Sequence, residues 1–332
     1  MKTLIPDYIL SKYAKKKFSG DFEAITMFID ISGFTAMTQS LMHQGKEGAE
    51  VLTEIINRIF TPSIQLIYEY NGYITTFAGD AFTSVFPTYS KENKEVSQAL
   101  FAALKIQKTF KKIGKQKTKF GTFKLEVKIG LSIGKVDWKI VKTDSVSGYF
   151  FRGKAINDAA LCEQQAFAGE IITDKRLYKI SNANAKHKKN GFYIIKNIAD
   201  NVESIKTKSA KKQKYINDFV PKSVTNLRFR GEFRDVISCF ISFDETTDFE
   251  NNLRSVIQLS QEYGGYFNKI DFGDKGGVIL VVFGAPVSHE RIYRRACDFA
   301  FAVNELPDFL CKIGLSFGLA FAGFTGSMRR SE

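Results

Sequence analysis

Apolar and polar residues follow two different periods along the first third of the chain. Residues 23–30, EAITMFID, form an apolar, β-branched run that predicts a buried strand ending at Asp30. From about Lys46 to Tyr70 apolar residues recur every three or four positions, which predicts a long helix. Asn71-Gly72 then lead into YITTFAGDAFTSVF, which predicts a hairpin around Ala78-Gly79-Asp80.

A second helical pattern, from about Lys94 to Ile113, leads to the predicted strand FKLEVKIGLSIG. The order is therefore strand, helix, hairpin, helix, strand. That order is typical of a ferredoxin-like sheet, the split βαβ arrangement with its helices on one face. A further strand and helix are predicted in YFFRGKAINDAALCEQQAFAG.

The same pattern returns roughly two hundred residues later, where CFISFDET matches MFIDISGF. QEYGGYFNKIDFGD matches YEYNGYITTFAGD, and KIGLSFG matches KIGLSIG, in the same order. We interpret the chain as two copies of one unit. The copies differ at one acidic position, because Ser242 stands where the first copy has Asp30.

The repeat predicts an α+β protein with two ferredoxin-like domains. We expect an N-terminal arm at residues 1–20 and a first domain at 21–200. A polar, lysine-rich linker is expected at 201–229, followed by a second domain at 230–332.

Composition narrows the class of protein. With 332 residues, of which 44% are hydrophobic, the chain can bury two cores, and no apolar run approaches the ~18 residues of a membrane helix. We therefore expect no transmembrane segment. The lysine cluster near the N-terminus follows a short apolar stretch, the reverse of a secretory signal, so we expect a cytoplasmic protein.

The net charge of +13 raises the alternative of nucleic-acid binding. The lysines concentrate in segments with the character of a helix end, a hairpin tip and a linker, with little aromatic interleaving, so we interpret them as solvated surface and expect no nucleic-acid partner. The four cysteines have no C-x-x-C spacing, which argues against a zinc site.

Two carboxylates mark the candidate chemistry. In a split βαβ sheet the end of the first strand and the hairpin tip are neighbours, so Asp30 and Asp80 are expected to face one point. Such a pair suits Mg²⁺, which completes its octahedron with water and phosphate oxygens. The loop Ile31-Ser32-Gly33-Phe34 would present backbone N–H groups to phosphates at a helix start. The alternative is that Asp30 caps a helix and Asp80 forms a turn.

These residues resemble a known family. FIDISGFTAM, followed by TFAGDAF, is similar to the metal-binding motifs of class III nucleotide cyclases, and within them of the tandem-domain, soluble (bicarbonate-type) adenylyl cyclases. The resemblance covers nearly the whole chain. It implies two cyclase domains packed head to tail around a pseudo-two-fold axis, which convert ATP into cyclic AMP and pyrophosphate with two Mg²⁺ or Mn²⁺ ions.

The resemblance also assigns residues. Asp30 and Asp80 become the catalytic metal ligands, with the carbonyl of Ile31 as a further ligand, and Lys269 becomes the adenine-binding residue, which favours ATP over GTP. The phosphate-binding residues implied are Ser32, Gly33, Phe34 and Thr35.

The two copies then lose complementary residues. Thr76 stands where the second copy has Lys269, and the second copy's own acids, Asp271 and Asp274, are out of register for metal. We therefore expect one complete site and one degenerate site. Bicarbonate activation is not expected, because the positions of the cations that bind it in the family carry Thr76 and Ala160.

The resemblance also implies two residues that stabilise the transition state. The family uses an Asn with an Arg four positions later, whereas the first copy has Asn157 and Leu161. The matching stretch of the second copy would begin beyond Glu332, so we expect little or no turnover by this chain and an uncovered apolar face on its second sheet. The alternative function is a nucleotide-binding regulatory module derived from a cyclase, without catalysis.

Overall fold

The computed structural model describes residues 2–89, 93–200, 202–205, 213–226, 231–245, 249–273 and 276–332. The helices are α1 (Asp7–Ala14), α2 (Phe34–Met42), α3 (Gly45–Glu69), α4 (Lys94–Ile113), α5 (Lys154–Gln164), α6 (Lys175–Ile180), α7 (Lys222–Thr225), α8 (Phe249–Glu262) and α9 (Ile292–Asn304). The strands are β1 (Ser19–Ser32), β2 (Tyr73–Ala78), β3 (Ala81–Pro87), β4 (Lys115–Thr118), β5 (Gly121–Lys124), β6 (Glu126–Val141), β7 (Gly148–Arg152), β8 (Ile171–Asp174), β9 (Ala183–His187), β10 (Phe192–Ile198), β11 (Gly231–Phe243), β12 (Tyr266–Gly273), β13 (Gly276–Phe283) and β14 (Cys311–Gly323).

Two sheets repeat one strand order. The larger sheet runs β2-β3-β1-β6-β8-β10-β9, with β7 also paired to β6, and the smaller sheet runs β12-β13-β11-β14. The first four strands of the larger sheet and the four of the smaller one are therefore arranged alike, as a split βαβ unit requires. The predicted α+β fold with two ferredoxin-like sheets is confirmed.

The long amphipathic helix is as predicted, to within a residue. Helix α3 buries a stripe that includes Leu52, Ile56 and Ile59 against the sheet, because apolar residues at this spacing share one face. One predicted strand is wrong at its start. FKLEVKIGLSIG divides between β5 and β6, since the N–H of Leu125 bonds the carbonyl of Gly114 at 2.8 Å and the ladder is interrupted there.

The ladder registers relate the two copies residue by residue. Asp30 lies opposite Ala81 on one side and Lys128 on the other, while Ser242 lies opposite Val278 and Lys312. Lys128 and Lys312 are the first residues of the repeated KIGLS motif. Ser242 is therefore the structural counterpart of Asp30.

A bulge aligns the two hairpins in the same way. The register shifts between Ile74 and Thr76 in β2, and between Phe267 and Lys269 in β12. Thr76 and Lys269 each follow the bulge, so they are structural counterparts. The second ladder continues to Gly273 and leaves Asp271 inside it, opposite Val278, while Asp274 lies outside the described residues.

The two sheets contact each other through β7 and β12. The rings of Phe150 and Phe272 lie 4.7 Å apart, and Arg152 forms an ion pair of 2.9 Å with Glu245. Phe150 thus packs into the apolar cluster of the smaller sheet. The proposed domain limits stay predictions, and the expected start of the second domain at Arg230 lies outside the described residues.

Residues of the segment 2–20 pack against the rest of the described chain. Ile9 and Leu10 of α1 are buried, and the side chain of Gln213 bonds the N–H of Leu4 at 3.0 Å. Arg330, which is fully buried, donates to the carbonyl of Leu4 at 2.7 Å and to the hydroxyl of Tyr149 at 3.0 Å. Residues near both termini are therefore joined beside the cleft between the sheets.

Strand β14 exposes an apolar face, as expected from the sequence. Leu315, Phe317 and Leu319 are 41%, 53% and 40% exposed, whereas Leu131, the counterpart of Leu315 in β6, is fully buried where β8 pairs with that strand. None of the helices in the described ranges is both long and apolar enough to cross a membrane.

Candidate active site

The two predicted carboxylates lie at adjoining strand ends. Asp30 is the third residue from the end of β1 and pairs with Ala81, and Asp80 immediately precedes Ala81 in the turn between β2 and β3. The hydroxyl of Thr35 donates a long hydrogen bond of 3.4 Å to Oδ2 of Asp80. The fold thus brings both acids and the end of the predicted phosphate loop together.

Electrostatics at this point favour a cation. Burial raises the pKa of Asp80 above its ordinary value of 3.8, and the nearby charge of Asp30 raises it further. A divalent ion between the two carboxylates would relieve that repulsion. Among the described residues no three histidine, cysteine or acidic side chains converge on one point, so an ion here would need backbone, water or phosphate oxygens as well. Mg²⁺ accepts such a mixed ligand set, and the residues fit the ion.

Two charged residues at this site were not predicted. The ammonium of Lys128 lies 3.0 Å from Oδ2 of Asp30 and also forms a hydrogen-bonded ion pair with Glu163 of α5. Lys128 begins the KIGLS motif, and its position across from the first strand could have been inferred by aligning the two copies. Nothing in the local sequence indicated the contact with Glu163.

The loop after Asp30 depends on a glycine. Gly33 has a φ of +89°, and a Cβ there would lie 2.5 Å from the carbonyl oxygen of Lys124. Only glycine adopts this conformation without strain in so little space. Helix α2 begins at Phe34, whose ring packs against Phe60 with centroids 6.5 Å apart. The first N–H groups of α2 therefore begin beside the two acids, where a helix dipole favours anions.

Lys269 lies in β12 of the smaller sheet and reaches across to the first hairpin. Its ammonium donates to the carbonyl of Phe77, and Asp271 and Glu332 lie 3.8 and 3.7 Å away. The N–H of Phe77 donates to Oε2 of Glu332 at 3.0 Å. Phe77 is three residues before Asp80, a span of at most about 10 Å in extended chain. The cavity that Lys269 lines between the sheets is about 70 Å³, smaller than the several hundred Å³ of usual ligand sites. Lys269 is thus held by protein groups.

The other positions that the family resemblance singled out have no positively charged side chain in this chain. Thr76 lines the same cavity and its hydroxyl donates to the carbonyl of Phe77 at 3.3 Å, while Ala160 is buried in α5. Oδ1 of Asn157 is buried without a hydrogen-bond partner among the described residues. Leu161, four residues later, is partly exposed.

Asp271 gives the cleft a pH-dependent stability. Burial raises its pKa from 3.8 to about 6, with Glu332 adding to the shift and Lys269 opposing it. Below about pH 4 the carboxyl is protonated in both folded and unfolded chains, so the cost of ionising it appears between pH 4 and 6. We expect the unfolding free energy of Asp271→Asn to be close to that of the wild type at pH 4. The variant should then become the more stable of the two, by about 2 to 3 kcal/mol once the pH reaches 7.

Urea denaturation at a series of pH values measures this difference. Asn268→Ala, which changes a neighbouring cavity residue without a titratable group, should show no such trend. A difference between Asp271→Asn and wild type that stays constant with pH would contradict the prediction.

A comparison with known protein families places most of the chain in one of them. A family described as the adenylate and guanylate cyclase catalytic domain matches residues 19–215. The chain belongs to this family, which confirms the resemblance seen in the sequence.

Among individual relatives, adenylate cyclase type 10 of Homo sapiens is 25% identical over 399 aligned positions, covering 99% of this chain and 24% of the relative. The chain thus spans about a quarter of the length of the adenylate cyclase type 10 relatives that it matches. Guanylate cyclase beta of Plasmodium falciparum is 26% identical and covers 67% of this chain and 7% of the relative. A crystal structure of a class III adenylyl cyclase-like ATP-binding protein from Pseudomonas aeruginosa covers 100% of this chain and 87% of that one, with a TM-score of 0.62 and 12% identity, which supports the fold.

Proposed function

We propose that this chain is the catalytic region of an adenylyl cyclase, which converts ATP into cyclic AMP and pyrophosphate between its two sheets. The observation that carries the proposal is the pair of carboxylates at adjoining strand ends, Asp30 and Asp80, in a copy whose counterpart has Ser242. The match of adenylate cyclase type 10 to 99% of this chain supports the same reaction.

In this proposal Asp30 and Asp80 hold two divalent ions, Mg²⁺ or Mn²⁺, with the carbonyl of Ile31 as a further ligand. When bound, such ions offset the charge of the phosphates during in-line displacement. The N–H groups of residues 32–35 bind phosphate oxygens at the start of α2. The ribose 3′-hydroxyl loses its proton to solvent water, its oxygen forms a bond to the α-phosphorus, and the bond to the leaving pyrophosphate breaks. Asp30 would lie near the attacking hydroxyl.

Lys269 selects the base. Its ammonium is a hydrogen-bond donor, which suits an acceptor nitrogen of adenine. The ammonium of Lys269 already donates to the carbonyl of Phe77 and lies close to the carboxylate of Glu332. A bound adenine therefore has to replace these contacts. The cytoplasmic location and the pairing of two domains around one site stay predictions.

A second candidate is a nucleotide-binding module without catalysis. Two observations favour it: the second site is degenerate, with Ser242 at the counterpart of Asp30, and the Pseudomonas aeruginosa neighbour is described as an ATP-binding protein. The two candidates share the metal and phosphate residues and differ only in turnover.

One experiment separates them. Turnover is expected to be low: the protein incubated with Mn²⁺ and ATP should form cyclic AMP slowly at most, with less cyclic GMP from GTP, and EDTA should abolish both products. Calorimetry with a non-cyclisable ATP analogue runs beside it. Binding of the analogue without product would favour the binding module, and neither product nor binding in the presence of Mn²⁺ would overturn both proposals.

A further inference from the structure

We propose that Lys128 and Glu163 form a built-in counter-charge that sets how tightly the site binds divalent ions. The ammonium of Lys128 neutralises Asp30 and competes with the ion for that carboxylate. Glu163 provides a second acceptor that holds the ammonium when the ion binds. This inference rests on the proposed function, since it concerns the same carboxylate.

Lys128 contacts both Asp30 and Glu163 in the structure. Lys128 lies opposite Asp30 in the ladder between β1 and β6, with its ammonium 3.0 Å from Oδ2, and it bonds Glu163 at the same time. The side chain of Glu163 is 9% exposed and that of Lys128 is 26% exposed. A charge-assisted contact that is shielded from water is stronger than one on the surface.

Glu163 cannot easily move away from Lys128. Helix α5 crosses β6 at Gly130, where a Cβ would lie 2.9 Å from Cα of Glu163 and 2.3 Å from its backbone nitrogen. The two backbones are therefore in direct contact, and the base of the Glu163 side chain is held in place. Of the three charged groups, the flexible lysine is the one able to shift.

The positive charge of Lys128 determines how tightly Asp30 can bind a divalent cation. A divalent cation bound by Asp30 would be repelled by an ammonium 3 Å from the same carboxylate, so the lysine must turn towards Glu163 or the ion binds weakly. Removing the ammonium should tighten ion binding. Removing the charge of Glu163 should weaken it, because the lysine would then be left with Asp30 alone.

The second copy provides a matched comparison within the same chain. Lys312 has the same position in the KIGLS motif and lies opposite Ser242, and its side chain is exposed. Replacing Lys312 removes the same charge from the protein at a site that has no carboxylate at the counterpart of Asp30.

Mn²⁺ titration followed by electron paramagnetic resonance tests the inference without relying on catalysis. We expect Lys128→Met to lower the Kd for Mn²⁺ about three- to tenfold and Glu163→Gln to raise it severalfold, while Lys312→Met leaves it unchanged. Thermal unfolding of each variant checks that it is folded.

These measurements distinguish failure of the inference about Lys128 from failure of the proposed metal site. If Asp30→Asn binds Mn²⁺ like the wild type, the metal site itself is wrong. If Asp30→Asn loses Mn²⁺ but Lys128→Met binds it equally or more weakly, Lys128 has only a structural role and the inference is overturned. Equal tightening by Lys312→Met would show a general effect of net charge and would also overturn it.

Discussion

Asp30→Asn should weaken Mn²⁺ binding by at least about 100-fold, because even partners outside the first ligand shell cost 10- to 100-fold when lost, and it should remove the little cyclic AMP that the wild type forms. The amide keeps the shape of the carboxylate and removes its charge. Asp80 would then be the only acidic ligand left, and Lys128 would add positive charge 3.0 Å from the substituted position. The measurement is initial rate against Mn²⁺ concentration, with Mn²⁺ binding measured separately.

Ser242→Ala is the matched control for this substitution. Ser242 lies at the same ladder position in β11, opposite Lys312, and is not expected to contact an ion. We expect its rate and Mn²⁺ affinity to equal those of the wild type. Equal losses in both variants would contradict the assignment of the metal site to the first copy, and unchanged activity in Asp30→Asn would exclude Asp30 as a ligand.

Gly130→Ala should lower the free energy of unfolding by about 3 kcal/mol or more, at the upper end of overpacking costs. A Cβ at this position would lie 2.1 Å from the carbonyl oxygen of Ala159 and 2.3 Å from the nitrogen of Glu163. Both contacts are with backbone, which no rotamer change relieves. Helix α5 would have to move away from β6 along its whole length.

Gly314→Ala is the counterpart in the second copy. Gly314 has the same position in the KIGLS motif of β14, and no described atom lies within 4 Å of its Cβ position. This substitution should be neutral or slightly stabilising, since alanine is the less flexible residue in the unfolded chain. Chemical denaturation of the two variants measures the contrast, and equal stability would contradict the close packing of α5.

Local patterns predicted much of the fold. The bounds of α4 agree with the predicted helix, and β2 and β3 flank the predicted turn at Gly79-Asp80. These elements were accessible because periodicity and turn chemistry depend on residues close together in the chain. The division of FKLEVKIGLSIG into two strands was not, since it depends on a hydrogen bond to Gly114 at the end of α4.

The repeat was equally informative about the site. Aligning the copies paired Asp30 with Ser242 and Thr76 with Lys269, and the ladder registers and bulges pair the same residues. That agreement arises because strand register follows the hydrophobic alternation of each copy. The roles of these residues as metal and base ligands stay proposals.

The sequence was therefore sufficient for the repeated fold, the family and the position of the two carboxylates, all of which are encoded in short segments. It did not indicate which distant charges meet those carboxylates. Lys128 lies between Asp30 and Glu163, and Arg330 is buried against Leu4, because the folded chain brings together segments far apart in sequence. Desolvation by neighbouring elements, which raises the pKa of Asp80 and Asp271, likewise exists only once the sheets and helices pack.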